Sequence, residues 1–145
     1  MADVFSPSKR SEVMSRIRST GSRPEQRLYE AVRAVLGHRW RIDRNVSGMP
    51  GRPDIVIPNL NLAIFLDGCF FHLCPKHGRI PDSNRDYWEP KLLGNVRRDA
   101  RSRRALRRMG FAVWRFWEHD FASLSSTERS VAVLASRFGR AVHEQ

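Results

Sequence analysis

The chain has 145 residues, of which 41% are apolar, and this is enough to bury the core of one ordinary domain. Its formal net charge is +11 at pH 7, and only Lys9, Lys76 and Lys91 among its 26 basic residues are lysines. Arginine forks match phosphate oxygens bidentately, so the charge favours nucleic acid as a partner, although genome composition alone could also enrich arginine. With no long apolar run, a membrane partner is disfavoured.

The opening residues, MADVFSPSKR, contain no apolar stretch between charges and no cleavage signature of a secretory signal. We therefore expect a cytoplasmic, nucleoid-associated bacterial protein. In a reducing compartment, Cys69 and Cys74 are poor disulfide candidates and better metal ligands.

Residues 1–21 are polar and basic, and they predict a flexible N-terminal arm with one short helix around Val13, Met14 and Ile17. The remainder, 22–145, is expected to form a single domain. Its predicted elements in chain order are a helix over 23–36, an edge strand near Trp40 and Ile42, paired strands at DIVIP and LAIFLD, a helix over 90–109, a strand at FAVWRFW and a helix over 127–142. This order predicts an α/β fold, a mixed sheet with helices on both faces.

Three acidic residues form a pattern around the two predicted apolar strands. Asp54 follows a Gly-Arg-Pro turn and begins one strand, Asp67 ends the next strand, and Glu25 lies upstream. Each alone could be a solvated surface carboxylate. Together the three resemble the PD-(D/E)XK nuclease core, in which carboxylates and a strand carbonyl hold Mg²⁺ against the scissile phosphate. The lysine of that core is absent, since Cys69 stands in its place.

A histidine three residues further on can replace that lysine. Neutral imidazole accepts a proton near neutral pH, so His72 could take one from the attacking water. Asp99, the only acidic residue among seven arginines between 97 and 108, could orient the ring. The alternatives are a zinc ligand or an ordinary loop histidine for His72, and an arginine-paired surface carboxylate for Asp99.

The spacing C-x4-C-x2-H of Cys69, Cys74 and His77 is tight enough to hold one tetrahedral Zn²⁺ from a loop. His119 is the preferred candidate for a fourth ligand, ahead of His38 and His143. The alternative is a pair of buried thiols without a ligand.

From about residue 8 to 120 the chain resembles the very short patch repair (Vsr) DNA mismatch endonucleases. The resemblance rests on four motifs in order: PGRPD at 50–54, FLDGCFFHLCPKH at 65–77, YWEPKLLGNVRRD at 87–99 and VWRFWEH at 113–119. It implies a restriction-endonuclease-like fold with a structural zinc, which acts as a monomer on double-stranded DNA carrying T:G mismatches that arise when 5-methylcytosine deaminates.

The resemblance also implies roles for individual residues. Asp54 and the backbone carbonyl of Leu66 would be Mg²⁺ ligands, with Glu25 nearby, while His72 and Asp99 would be the catalytic pair. Asp67 matches a position that is His in some relatives. The zinc ligands would be Cys69, Cys74, His77 and His119, and the residues expected to contact or intercalate into DNA are Phe70, Phe71, Trp88, Met14 and Asn95.

Three functional hypotheses follow. The first is an Mg²⁺-dependent endonuclease that nicks on the 5′ side of the mispaired T and starts repair together with other repair proteins. The second is a restriction-type endonuclease that uses the same core on matched duplex. The third is a non-catalytic DNA-binding module stabilised by zinc.

Overall fold

The computed structural model describes residues 6–20 and 23–143, with four α-helices and four β-strands in that part of the chain. They are α1 (Pro7–Thr20), α2 (Pro24–Leu36), β1 (Asp43–Arg44), β2 (Ile55–Ile57), β3 (Leu62–Asp67), α3 (Arg85–Arg108), β4 (Ala112–Trp117) and α4 (Leu124–His143), with short 3-10 helices at Pro58–Leu60 and Glu118–Phe121. Among these described helices, none is both long enough and apolar enough to span a lipid bilayer.

The chain folds into two compact units. The helical unit takes the described residues of Met1–Ile42, Ile57–Leu60 and Glu118–Gln145, and the sheet unit takes Asp43–Val56 and Asn61–Trp117.

The strands form one sheet in the order β1-β2-β3-β4. β1 runs antiparallel to β2, whereas β3 and β4 are parallel and in register from Leu62 opposite Ala112 to Asp67 opposite Trp117. The prediction of a mixed sheet in an α/β protein is therefore confirmed, as is the pairing of the two apolar strands β2 and β3.

The interior of the sheet unit explains why β3 lacks an alternating pattern. Leu62, Ala63, Ile64 and Phe65 are all buried, as expected for a strand covered on both faces. On one face, Ala63 and Phe65 pack against Leu106 of α3. Since α3 leads back towards β4 through a short turn, this contact fixes which side of the helix faces the sheet.

Gly51 lets the PGRPD loop approach this layer closely. Its φ is +75°, and a Cβ there would lie 2.9 Å from the Cβ of Ser102 on α3 and 3.1 Å from the ring of Phe65. Only glycine fits both the backbone conformation and the space. The loop that delivers Asp54 is thus held against both β3 and α3.

In the helical unit, α1 contacts α2 and α4, and α2 contacts α4. The apolar residues of α1, Val13, Met14 and Ile17, are all buried. Residues 1–5 and 21 of the predicted arm lie outside the described residues. A contact between Met14 and DNA would require its side chain, which is 3% exposed, to leave this position.

Two predicted boundaries were wrong. The edge strand is Asp43–Arg44, not the region of Trp40 and Ile42. Helix α3 begins at Arg85, five residues before the predicted start, because Pro90 lies inside the helix and not in its first turn. A proline inside a helix removes one backbone hydrogen bond, and the 24-residue helix continues past it.

Candidate active site and zinc site

The carboxyl group of Asp54 is fixed to strand β3. Its Oδ2 accepts a hydrogen bond of 2.7 Å from the backbone N–H of Leu66. Its own backbone carbonyl accepts one of 2.9 Å from the N–H of Asn45, and this ties the end of the PGRPD loop to the segment after β1. The carboxylate and the carboxyl end of β3 are therefore parts of one rigid arrangement.

Three further acidic or imidazole side chains converge at the same end of β3. One ligand-type atom from each of Asp67, His72 and Asp99 lies within 4.8 Å of the others. His72 Nδ1 and Asp99 Oδ2 are 2.5 Å apart, and both side chains are partly buried. The structure brings together a loop histidine and a helix carboxylate that are 27 residues apart in sequence.

Helix geometry explains how Asp99 reaches this point. Leu106, which packs on Ala63 and Phe65, lies seven residues after Asp99, so the two side chains share one face of α3 two turns apart. In β3, Asp67 lies on the same face as Ala63 and Phe65, because alternate residues of a strand point to the same side. The helix thus carries Asp99 over the end of the strand.

Arg115 is a site residue that sequence reasoning missed. It lies on β4, and its Nε donates to Asp67 Oδ2 at 2.6 Å while a terminal nitrogen lies 3.6 Å from Asp99 Oδ2. Its guanidinium lies 4.1 Å from the centre of the Trp117 ring, a cation–π distance. The sequence feature that could have revealed it is the single arginine inside the apolar run FAVWRFW.

Arg103 adds a second positive charge to this network. Its pKa is lowered, first by burial and then by the nearby Arg115 guanidinium, while Asp99 and Asp67 act in the opposite direction. Two carboxylates and two guanidinium groups therefore lie within electrostatic reach of one another, which limits the cost of placing these charges in a partly buried site.

A second group lies on the loop after β3. One ligand-type atom from each of Cys69, Cys74, His77 and His119 lies within 4.8 Å of the others. The two cysteines are not joined in a disulfide, and Cys74 is buried. His119 is the second residue after β4, so the chain itself keeps it beside the end of that strand. Thiolate and imidazole are the ligands that Zn²⁺ prefers, so this donor set fits a tetrahedral zinc.

Tight turns within the loop bring these side chains together. The Cys74 N–H donates to the Cys69 carbonyl at 2.9 Å, and the Gly78 N–H donates to the Cys74 carbonyl at 2.7 Å. A Cβ at Gly78 would lie 2.5 Å from the backbone nitrogen of Cys74, so no other residue fits there without a backbone shift.

The two phenylalanines between these groups belong to a row of edge-to-face aromatic contacts. Phe70 contacts Phe71 at 5.1 Å and Trp88 at 5.2 Å, and Trp88 contacts Tyr87 at 4.9 Å between ring centres. Asn95 donates from Nδ2 to the Phe71 carbonyl at 2.9 Å. Phe71 and Tyr87 are 50% and 58% exposed, so the row ends in solvent on both sides. Tyr87 was not among the predicted DNA-contacting residues.

Glu25 lies in the first turn of α2, in the helical unit. Its place in the acidic cluster stays a prediction, as does the role of Met14.

Comparison with known proteins identifies the family. The sequence profile of the DNA mismatch endonuclease Vsr family matches residues 2–76. The chain belongs to this family. One similar protein is the Type II nicking enzyme V.NaeI of Lentzea aerocolonigenes, which is 44% identical over 77% of this chain and 68% of that protein. Another is the Type II nicking enzyme V.XorIIP of Xanthomonas oryzae pv. oryzae, which is 39% identical over 88% of this chain and 93% of that protein. The DNA mismatch endonuclease Vsr of Escherichia coli strain K12 is 32% identical over 81% of this chain and 74% of that protein. Membership in this family supports DNA as the partner and endonuclease as the activity.

Proposed function

We propose that the protein is an Mg²⁺-dependent endonuclease that nicks one strand on the 5′ side of the mispaired T at T:G mismatches produced by 5-methylcytosine deamination, and so starts very short patch repair. The observation that carries the proposal is the His72–Asp99 pair, 2.5 Å apart, at the end of the strand whose Leu66 holds Asp54.

The oxygen donors near this pair suit Mg²⁺, which prefers carboxylate and carbonyl oxygens. Asp54 would hold the ion with the backbone carbonyl of Leu66, and Glu25 would support the acidic cluster. When bound, Mg²⁺ would supply the positive charge that stabilises the phosphate as charge develops on it. The N–H of Leu66 keeps the Asp54 carboxylate in place before any ligand arrives.

His72 is suited to accept a proton from water. Its Nδ1 faces a carboxylate oxygen of Asp99, so the neutral ring carries its proton on Nδ1 and a lone pair on Nε2. Nε2 would take the proton of the attacking water, and Asp99 would stabilise the imidazolium that results. A positioned base of this kind contributes about 10²- to 10⁴-fold to a hydrolysis rate.

Asp67 holds Arg115 in this scheme. Its Oδ2 already accepts the 2.6 Å hydrogen bond from Arg115 Nε, and Arg115 also reaches Asp99. We infer a positioning role for Asp67, through Arg115, in the arrangement of the catalytic pair.

The Cys and His group would bind a structural Zn²⁺ that fixes the loop carrying Phe70, Phe71 and His72. A closed set of four protein ligands has no open position for substrate. The ion would therefore act on the reaction only by holding the loop.

Phe71, half-exposed and backed by Phe70, would enter the duplex beside the mismatch, with Trp88 supporting Phe70 and Asn95 holding the Phe71 backbone. An aromatic wedge replaces lost base stacking, and a mismatched step costs less to open than a paired one. The difference in opening cost would give selectivity for T:G sites.

Strand-resolved cleavage of end-labelled duplexes tests the proposal. T:G duplexes in several flanking contexts are compared with T:A and C:G duplexes, with and without Mg²⁺. We expect one nick beside the mispaired T, no cleavage of matched DNA and no activity in Asp54→Asn. Asp82→Asn is the matched control, because Asp82 is exposed and its ion-pair distance to Arg85 is 3.8 Å.

Cleavage of both strands in matched DNA would contradict mismatch repair and indicate a restriction-type enzyme. Full activity in Asp54→Asn would refute the assignment of the site. Binding without cleavage in every flanking context, with and without Mg²⁺, would leave the hypothesis of a non-catalytic DNA-binding module.

A further inference from the structure

Helix α3 carries a stripe of arginines that the proposed active site does not use. Arg97, Arg101, Arg104 and Arg108 are separated by four, three and four residues, which places them on one face of the helix. All four side chains are exposed. With a rise of about 1.5 Å per residue, the stripe extends over roughly 16 Å.

This stripe lies on the side of α3 opposite to the catalytic pair. Leu92, Asp99 and Leu106 are seven residues apart and mark the helix face that meets the sheet and His72. At about 100° per residue, the stripe arginines are turned roughly half a revolution from that face. A phosphate on the stripe would therefore lie about one helix diameter, roughly 10–12 Å, from the site side.

The stripe charges have no intramolecular compensation among the residues that the structure describes. None of the four side chains has a hydrogen bond, an ion pair or a ring contact there. The other two acidic residues of α3, Asp86 and Glu89, lie near its beginning, and Glu89 pairs with Arg85. Like charges three and four residues apart destabilise a helix, and only Arg108, in the last turn, benefits from the helix dipole.

A row of unpaired guanidinium groups fits a polyanion with regularly spaced charges. Duplex DNA has one phosphate per strand for about every 3.4 Å of axis, so the stripe matches the backbone of roughly five base pairs. Because the stripe faces away from His72 and Asp99, a straight duplex at the site cannot also contact it. We propose that the stripe of Arg97, Arg101, Arg104 and Arg108 binds a second duplex segment while the first occupies the active site.

This inference rests on the proposed function only for the location of the first duplex. A second contact would keep the enzyme near DNA between encounters with its sites, since contacts to phosphates are independent of sequence and allow transfer between segments. The chemistry of recognition is electrostatic, and salt is therefore the diagnostic variable.

The test measures energy transfer between two duplexes. The protein is saturated with a short donor-labelled T:G duplex without Mg²⁺, and a matched acceptor-labelled duplex is then titrated. Wild type should form the ternary complex, and its affinity for the second duplex should fall roughly 100-fold between about 50 and 200 mM salt if four phosphates are contacted. Arg101→Gln with Arg104→Gln should lower the slope of log affinity against log salt by about 2.

The matched control is Arg129→Gln with Arg140→Gln, which removes the same charge from exposed positions on α4. It should change the slope little, and the α3 variant should nick a short T:G duplex at the wild-type rate. The proposal is refuted if the control lowers the salt slope as much as the α3 variant does. It is also refuted if wild type binds no second duplex, which is the result expected if the stripe instead binds an acidic protein.

Equal losses of first-duplex binding and of nicking in the α3 variant would also overturn the proposal, because they would place the stripe on the substrate side. If the protein bridges two duplexes and cleaves neither, the proposal of a second duplex on the stripe is supported and the proposed nicking function fails. Thermal unfolding of each variant separates these results from loss of the fold.

Discussion

The stretch DGCFFHLCPKH supplies two groups of ligand-type side chains that differ in how they are assembled. The first comprises Asp67 and His72 with Asp99 of α3, and the second comprises Cys69, Cys74 and His77 with His119. The first depends on a strand, a neighbouring strand and a helix, whereas the loop turns through its own hydrogen bonds to bring most of the second together. Interleaved residues thus belong to separate groups of side chains.

The chemistry of the two groups differs as much as their assembly. The first group holds two carboxylates and an imidazole beside Arg115, which suits a reaction at phosphate, while thiols and imidazoles in the second suit zinc. If this division is correct, mutations in the second group remove the metal, whereas mutations in the first group lower the rate and leave the metal content unchanged.

The largest effect is expected for Cys74→Ser. Cys74 is 1% exposed, and losing it should release about one zinc per chain and lower the free energy of unfolding by about 4 kcal/mol or more. Elemental analysis and thermal unfolding measure the two changes. Nicking should be lost as well, because the loop also carries His72.

His38→Ala is the control, since His38 is exposed and lies outside the Cys and His group. It should keep its zinc. Retention of zinc and of stability in Cys74→Ser would show that Cys74 is not a zinc ligand.

His72→Ala should lower the single-turnover nicking rate by about 10²- to 10⁴-fold, because it removes the proposed proton acceptor. Zinc content and affinity for T:G duplex should stay near the wild-type values. In the Asp99→Asn background the same substitution should cost much less, since the two residues act as a unit. Loss of zinc in His72→Ala would place this histidine in the other group.

Arg115→Met tests whether β4 stabilises the group formed by Asp67, His72 and Asp99. Asp67 is 7% exposed, and without Arg115 its carboxylate would be buried and unpaired, at an expected cost of about 2–3 kcal/mol in unfolding free energy. Most of that cost should disappear in the Asp67→Asn background. Equal costs in both backgrounds, measured by chemical unfolding, would show that the ion pair does not stabilise the site.

Arg115→Lys separates positioning from stability. Lysine retains the charge but not the fork that reaches Asp67 and Asp99 together. The nicking rate should fall while binding of T:G duplex is unchanged, and the fall should vanish in Asp99→Asn if Arg115 acts through Asp99. A change in binding alone would indicate a direct contact with DNA.

The sequence predicted the fold class and the pairing of β2 with β3 because short apolar runs rich in β-branched residues indicate buried strands. The grouping of His72 with Asp99 came from the chemistry of the two side chains and from the family motifs, since no local pattern shows that residues 27 positions apart will meet. Arg115 could not be assigned a partner, because its contact with Asp67 depends on the register of β3 against β4. The start of α3 was missed because proline usually marks a first turn.

The smallest effect is expected for Phe71→Ala, on the loop between the two groups. The ring is 50% exposed, so its loss should change the free energy of unfolding by less than about 0.5 kcal/mol. A base stacked on an aromatic ring contributes about 1–3 kcal/mol, so binding of a T:G duplex should weaken roughly tenfold. Anisotropy titrations with T:G and T:A duplexes measure the difference.

The comparison variant is Tyr87→Ala, which removes an equally exposed ring at the far end of the same aromatic row. If Phe71 is the wedge, its loss lowers selectivity for T:G over T:A, whereas loss of Tyr87 changes affinity for both duplexes alike or not at all. If Phe71→Ala weakens binding of the T:G and T:A duplexes equally, the ring contacts DNA without recognising the mismatch. Selectivity would then have to come from elsewhere on the loop, and the division between a zinc-held loop and a separate catalytic group would no longer explain mismatch recognition.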